Sequence, residues 1–186
     1  MLIGAALLLC ILTVPLTGGR LSRLADLEFS RSWLAVAALV VQVLIISVLP
    51  GGARGLSEGV HLASYLLLGA FLVLNRHVPG LLVIGLGGVL NFAAILTNGG
   101  VMPADPDALA AAGISQDATE FANSAPADGA LFGALGDVFH TPAWLPIHNV
   151  FSVGDLVIVA GAFLLLHRAC GSSPGRLRRR LRPAGA

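Results

Sequence analysis

Charged residues are scarce in this chain, and lysine is missing altogether. Only 11% of the 186 residues are charged, whereas an ordinary soluble domain carries about 25%. So few charges cannot cover a globular surface, which argues against a water-soluble domain. The formal net charge of +1 also argues against nucleic-acid binding through a basic face.

Cysteine is nearly absent as well. The two thiols, Cys10 and Cys170, form no disulfide framework and no metal-ligand spacing. Asp137, His140 and His148 lie near one another in the sequence, but their spacing matches no standard metal site. No nucleotide-binding loop or cofactor motif is present, so the sequence predicts neither a metal nor a cofactor.

Apolar residues dominate, at 56% of the chain with a mean hydropathy of +0.87. They form five runs, at residues 2–16, 33–49, 60–74, 81–98 and 153–166. A membrane-spanning helix needs roughly 17 to 25 apolar residues, so most runs are near the short limit. We therefore predict an all-α integral membrane bundle of five transmembrane helices over residues 1–170, followed by a basic tail at 171–186.

The arginines predict the orientation of this bundle. If each run crosses the bilayer once, ten of the eleven arginines fall on one side and only Arg54 on the other. Basic residues near span ends stay in the cytoplasm. The amino terminus is therefore expected outside and the carboxyl terminus inside. A loop of about fifty residues, 99–149, is expected on the outer face.

This outer loop contains patterns for local structure. Asp105 and Pro106 followed by Ala108, Leu109 and Gly113 predict a short capped helix. Residues 130–135 predict another helical turn, whereas the prolines at 142 and 146 exclude a regular helix over 141–147. Trp144 suits the membrane–water interface.

Polar side chains interrupt two of the apolar runs. Gln42 lies near the middle of the second and Asn91 near the middle of the fourth. A third feature, the stripe formed by Gly87, Asn91, Ala94 and Asn98, has the spacing of one helical face, where another helix can approach closely. Either these amides pair and join helices, or they line a polar path or binding site.

Asp155 also has two interpretations. Ser152 and Asp155 match a capping box, in which the serine caps the last helix and the aspartate occupies its third position. Alternatively, Asp155 and Asp137 form a catalytic pair, because two carboxylates that share a proton can activate water.

Three motifs resemble those of a bacterial multi-pass membrane family of unknown function. They are GGRLSRLADL at 18–27, NGGVMP at 98–103 and SVGD at 152–155. The resemblance covers nearly the whole chain and supports the topology without implying an activity. It makes Asn98, Met102 and Asp155 positions to test together. The candidate binding or polar-core residues are Gln42, Asn91, Asn98, Met102 and His148.

A shorter segment resembles the two aspartate motifs of the lipoprotein signal peptidases. It comprises residues 133–137 and 149–155, and includes Asp137 and Asp155. That family cleaves lipoprotein precursors near the outer membrane face, so the resemblance implies a catalytic aspartate pair. The chain departs from it in having five predicted spans instead of four and an incomplete asparagine–alanine–aspartate motif.

The carboxyl-terminal tail is strongly basic. A juxtamembrane arginine cluster is attracted to anionic lipid headgroups at about 1 kcal/mol per residue, and it also anchors the topology. The arginines concerned are Arg176, Arg178, Arg179, Arg180 and Arg182.

Three functions remain open for a protein expected in the bacterial plasma membrane. The first is a non-enzymatic accessory or interaction protein, whose partners are the lipid bilayer and another membrane protein. The second is an intramembrane aspartyl peptidase, and the third is a small transporter or channel subunit. The peptidase requires Asp137 close to Asp155, whereas the transporter requires a polar cavity that reaches Gln42 and Asn91.

Overall fold

The computed structural model describes residues 2–48, 54–98, 101–114, 124–126, 130–142 and 144–172. Within these ranges the chain is mostly helical. The helices are α1 (Leu2–Leu16), α2 (Trp33–Val48), α3 (Arg54–Leu74), α4 (Leu81–Thr97), α5 (Pro106–Ala111) and α6 (Val153–Ala169), with a short 3-10 helix at Leu21–Asp26. The five long helices coincide with the five apolar runs. Only the start of α3 and the end of α6 extend clearly beyond them.

None of the helices in the described ranges combines the length and the apolar character needed to cross a membrane.

The described residues are mostly helical, as expected, and they also contain four strands of two or three residues that the sequence did not predict. Between α4 and α6, β1 (Met102–Ala104) pairs in parallel with β2 (Ser124–Pro126), with Met102 opposite Ser124. Farther along, β3 (Phe139–His140) pairs in antiparallel with β4 (Val150–Phe151). The expected outer loop is therefore an ordered cap in its described parts. It also contains α5 and a 3-10 turn at Gly133–Leu135.

Helices α4 and α6 form the most extensive contact between helices, and glycines explain how closely they approach. A Cβ on Gly87 would lie 2.5 Å from the carbonyl oxygen of Gly154 and 2.8 Å from the amide nitrogen of Ile158. One heptad away, Gly80 and Gly161 meet in the same way. The order of these contacts makes the two helices antiparallel. Small residues permit this backbone contact, which larger side chains would prevent.

The other long helices pack around this pair. Helix α1 packs against α6 and buries Cys10 and Val14, whereas α2 packs mainly against α3. A core cluster lies where α2, α3 and α4 meet the connection after α3, and it consists of Leu34, Phe71, Val78 and Leu81. The helices therefore follow the spatial order α2, α3, α4, α6 and α1.

Asn75, which directly follows α3, fixes the connection before α2. Its side chain is fully buried. The Asn75 amide oxygen accepts a hydrogen bond from the Ser30 backbone N–H at 2.7 Å, and its Nδ2 donates to the carbonyl oxygens of Ser30 and Phe71. One side chain thereby satisfies three backbone groups and joins two loops.

Candidate functional site

A polar cluster joins α4 to the beginning of α6. The Nδ2 of Asn91 donates a hydrogen bond of 2.7 Å to Oδ1 of Asp155, and the Ser152 hydroxyl donates one of 2.8 Å to Oδ1 of Asn91. Asn91 thus uses both ends of its amide toward α6. The acceptor of the bond from Asn91 to Asp155 is a carboxylate. That bond is therefore charge-assisted and stronger than a hydrogen bond between neutral groups. We call Asn91, Ser152 and Asp155 the polar clamp.

The same residues form the capping box predicted from the sequence. The Asp155 backbone N–H donates to the Ser152 hydroxyl oxygen at 3.0 Å, and Oδ2 of Asp155 accepts from the Ser152 backbone N–H at 3.2 Å. The carboxylate also lies at the positive end of the helix dipole. The capping-box interpretation of Asp155 is confirmed, and both of its carboxylate oxygens have protein partners.

The stripe of small and polar residues on α4 faces α6 at Gly87 and Asn91. Gly87 meets Gly154 and Ile158, Asn91 bonds to Asp155, and Ala94 is completely buried. The expected close approach of another helix is confirmed. The pairing of Asn91 with Gln42 stays a prediction, because the side chain of Gln42 lies outside the described part of the chain.

Asn98 joins the end of α4 to the cap. Its Nδ2 donates to the carbonyl oxygens of Ala94 and Leu131, both at 2.7 Å, and Thr97 makes a longer contact with the Leu131 carbonyl oxygen. The first bond satisfies a terminal helix carbonyl. The NGGVMP motif therefore begins with a residue that fixes the entry into the cap.

Met102 and Asp137 lie on neighbouring stretches of the cap. Met102 is a buried residue of β1. Asp137 is also buried, and its backbone pairs with β1: its N–H donates to the Pro103 carbonyl oxygen at 2.8 Å, and its carbonyl accepts from the Asp105 N–H. Both residues thus help to build the small sheet.

His148 contacts the carboxyl-terminal end of α5. Its Nδ1 is 2.7 Å from the carbonyl oxygen of Ala112, the residue that directly follows α5. The predicted helix is confirmed, because Asp105 caps it and Pro106 begins it. His148 binds the opposite end, so the segment before α6 is attached to α5.

The hydrogen bonds of the polar clamp join α4 to the start of α6. Within the described ranges, no three His, Cys, Asp or Glu side chains come together as a metal site. Asp155 is engaged with its own helix start and with Asn91, and these partners are neutral. The catalytic role assigned to Asp137 and Asp155 stays a prediction.

A second polar cluster, which the sequence interpretation missed, lies at the opposite end of α6. His167 Nε2 is 3.0 Å from the Thr13 hydroxyl, and Nδ1 is 3.4 Å from that of Thr17. The ring also contacts that of Phe163, with the centroids 4.0 Å apart and the ring planes tilted by 30°. The available signal was weak: a threonine inside the first apolar run and a histidine just beyond the last.

The GGRLSRLADL motif contacts the end of α6 beside this cluster. The Arg20 backbone N–H donates to the Cys170 carbonyl oxygen at 3.0 Å, and the Arg23 guanidinium occupies the space where a Cβ on Gly171 would stand. Gly171 has a positive φ of 66°, as expected for a glycine that ends a helix. Arg23 also complements the negative end of the α6 dipole.

Cys170 is buried at this junction, with 1% of its surface exposed. Burial raises the pKa of its thiol, and the charge of Arg23 opposes part of that rise. The five tail arginines proposed to bind anionic headgroups lie outside the described residues, namely Arg176, Arg178, Arg179, Arg180 and Arg182.

A cavity of about 320 Å³ lies between α3 and α4. Its walls are almost wholly hydrocarbon and include the rings of Tyr65 and Phe92, whose centroids are 4.0 Å apart. Neither Asn91 nor a charged residue lines it. This cavity differs from the polar one that the transporter hypothesis requires.

Comparison with known proteins gives a family but no activity. An uncharacterised protein of Thermotoga maritima is 31% identical to this chain over 103 residues, which cover 54% of this chain. The matched region spans 58% of the length of that relative. No solved structure matches the chain. The family of unknown function DUF5317 matches residues 26–167, about three quarters of the sequence, and the chain therefore belongs to that family.

Proposed function

We propose that this chain is a multi-pass integral membrane protein of the bacterial plasma membrane, which acts as a non-enzymatic accessory or interaction protein. Its five long helices would cross the bilayer, with the amino terminus outside and the carboxyl terminus in the cytoplasm. The cap between α4 and α6 would then lie on the outer face.

The observation that carries the proposal is the apolar outer surface of the helices. Large aliphatic side chains on α1 to α4 are half or more exposed, among them Leu9 (62%), Val36 (60%), Leu66 (67%) and Val89 (60%). Soluble monomers rarely expose contiguous apolar patches of more than a few hundred Å². Lipid acyl chains would cover this surface and keep its apolar side chains out of contact with water.

Four of the five long helices are shorter than the hydrocarbon core of a bilayer is thick, so the proposed membrane location requires the bilayer or the flanking residues to adjust. Helices α1, α2, α4 and α6 contain 15 to 17 residues, so each rises about 22 to 26 Å. The hydrocarbon core of a bilayer is about 30 Å thick. Local thinning of the bilayer accommodates such a difference at a modest cost, and so do arginines that reach toward the headgroups.

The cap supports a role in interaction. Leu131, Phe132 and Trp144 are 65%, 57% and 80% exposed, and Phe132 has a left-handed backbone with φ 55°. A bulky residue in that conformation is strained, and such strain often marks functional positions. These exposed apolar residues would contact the outer headgroups or a membrane-protein partner.

Fractionation and reporter fusions test the membrane location. We expect the chain to stay in the membrane pellet after an alkaline carbonate wash. Green fluorescent protein fused after Ala186 should fluoresce, and alkaline phosphatase inserted within 115–123 should be active. A chain that stays in solution without detergent as a compact monomer would overturn the proposal.

A cleavage assay separates the accessory role from the peptidase alternative. We expect the purified protein in detergent to leave a fluorogenic lipoprotein-precursor peptide uncut. Cleavage that is lost in both Asp137→Asn and Asp155→Asn, while circular dichroism shows that both variants are folded at the assay temperature, would replace the accessory role with the peptidase.

A further inference from the structure

The contact between α1 and α6 contains a titratable ring. His167, in the last turn of α6, places Nε2 at 3.0 Å from the Thr13 hydroxyl and Nδ1 at 3.4 Å from the Thr17 hydroxyl. The remaining side chains of α1 are apolar apart from a cysteine. These two threonines are therefore the groups through which α1 forms side-chain hydrogen bonds with α6.

The directions of these hydrogen bonds fit a neutral ring. Thr13 Oγ1 donates its one proton to the carbonyl oxygen of Cys10 at 2.7 Å, so it accepts the proton of His167 Nε2. Thr17 Oγ1 has two backbone carbonyl oxygens at 3.0 Å as acceptors for its own proton. A neutral imidazole with its proton on Nε2 thus joins α6 to α1.

A second proton on the ring lacks a comparable partner. A charged imidazole donates from both nitrogens, and Nδ1 meets Thr17 Oγ1 only at 3.4 Å, beyond the range of about 2.7 to 3.2 Å for an ordinary N–H···O bond. The ring of His167 is also partly buried, and burial opposes a charge on it.

The charges on the surrounding elements oppose protonation as well. The 3-10 helix contacts both α1 and α6, and Arg23 already occupies the negative end of the α6 dipole. Helix α4 also packs against α6 but has no titratable residue. Arginines outnumber carboxylates among the charged and titratable groups of these elements and their connections, which are Cys10, Arg20, Arg23, Asp26, Glu28, Arg31, Arg76, His77, Arg168 and Cys170.

We propose that His167, Thr13 and Thr17 form an acid-sensitive latch, which holds the end of α1 against α6 while the ring is neutral and loosens when the ring is protonated. An ordinary histidine takes up a proton at a pH of about 6.5. Once α1 separates, the ring binds a proton more readily than in the contact, so by linkage the docking of α1 weakens as the pH falls below that value. The latch lies within one chain and does not depend on the proposed membrane location.

Protection of the Cys10 thiol measures the docking of α1. Cys10 is buried on α1, so we expect a maleimide to reach it when α1 separates from α6. The full chain in detergent is labelled between about pH 8 and about pH 5, the range in which histidine changes its charge. Mass spectrometry identifies the label on Cys10. The labelling rate in dodecyl sulfate divided by the native rate at each pH gives the protection, which corrects for ionisation of the thiol. We expect protection to fall several-fold toward the acid end.

Three variants identify the group responsible. His167→Gln donates and accepts hydrogen bonds but does not titrate, so its protection should not depend on pH. His77→Gln removes an exposed histidine between α3 and α4 and should behave like the wild type. Thr13→Val removes the acceptor of the latch, and its protection at about pH 8 should already be near the wild-type value at about pH 5. Circular dichroism verifies folding, and Thr13→Val carries the comparison if His167→Gln does not fold.

Two results would overturn the latch. The first is protection in the wild type that is equal at both ends of the pH range or rises in acid. The second is a fall of the same size in His167→Gln, which would assign the pH dependence to another group. Either result leaves the proposed membrane location intact, because carbonate extraction and reporter fusions test that location separately.

Discussion

Asn91 on α4 and Asp155 on α6 are joined by a hydrogen bond of 2.7 Å, although 64 residues separate them in the sequence. The bond lies beside the closest backbone approach of the two helices, where Gly87 meets Gly154. Because Asp155 also caps α6 through Ser152, one carboxylate fixes both the start of a helix and its position against a neighbour.

Removal of the Asn91 amide should destabilise the fold measurably. In Asn91→Ala, the Asp155 carboxylate loses a donor and the Ser152 hydroxyl loses an acceptor, so we expect the free energy of unfolding to fall by about 1 to 3 kcal/mol. Circular dichroism during unfolding in detergent measures the change. Leu96→Ala, on the same helix and 61% exposed, should have little effect. Equal stability of both variants would contradict a structural role for the clamp.

Neighbouring glycines on α4 should respond in opposite directions to alanine. In Gly87→Ala the new Cβ meets the backbone of Gly154 and Ile158, and such overpacking costs about 1 to 3 kcal/mol. In Gly88→Ala the Cβ enters open space, and the loss of a flexible glycine stabilises the helix by about 0.5 to 1 kcal/mol. Melting temperatures of the two variants measure this contrast. A similar shift in both would refute the close α4–α6 contact.

Asn75 should be the most sensitive polar residue outside the α4–α6 pair. In Asn75→Ala the buried amide is lost and the Ser30 backbone loses both of its partners in this side chain. We expect a loss of about 2 to 4 kcal/mol, since each buried unsatisfied group costs about 1 to 3 kcal/mol. Thermal unfolding in detergent gives the value. His77→Ala alters an exposed residue in the same connection and should be nearly neutral.

The thiol of Cys170 should react slowly with alkylating reagents in the folded protein. Its pKa is raised by burial, so the neutral thiol, which is the unreactive form, persists to a higher pH than for an ordinary cysteine. Iodoacetamide labelling in a Cys10→Ala background should be slow at neutral pH and accelerate as the pH rises.

A substitution of Arg23 tests how the charge of this residue affects the pKa of Cys170. Since its charge lowers the pKa of Cys170, Arg23→Gln should raise that pKa and slow labelling at a fixed alkaline pH. The same variant denatured in dodecyl sulfate should react at the rate of an ordinary cysteine. Rapid labelling of the native protein at neutral pH would show that the junction between Arg23 and the end of α6 is open.

The long helices and their caps could be predicted because their signals are local. Apolar runs end at glycine, proline or asparagine, and the Ser152–Asp155 capping box lies within four residues. The strands could not be predicted, since segments of two or three residues such as Phe139–His140 show no alternation. Their pairing depends on contacts across the cap.

The partner of Asn91 was also beyond the sequence pattern. Hydropathy places Asn91 within its helix and identifies the face of small residues, but it does not identify which helix covers that face. Asn75 was missed for a related reason. A polar residue followed by Arg76 and His77 is typical of a solvent-exposed turn, and only the fold brings the Ser30 backbone against it.

The attachment of α1 to α6 has a consequence for biosynthesis. Thr13 and Thr17 meet His167, and Arg20 meets Cys170, yet more than a hundred residues of chain are made between α1 and α6. At ribosomal rates of about 5 to 20 residues per second, α1 waits on the order of ten seconds for its docking partner. During that interval its threonine hydroxyls lack the histidine, so a chaperone or insertase that shelters a nascent helix would act on α1 before the last helix emerges.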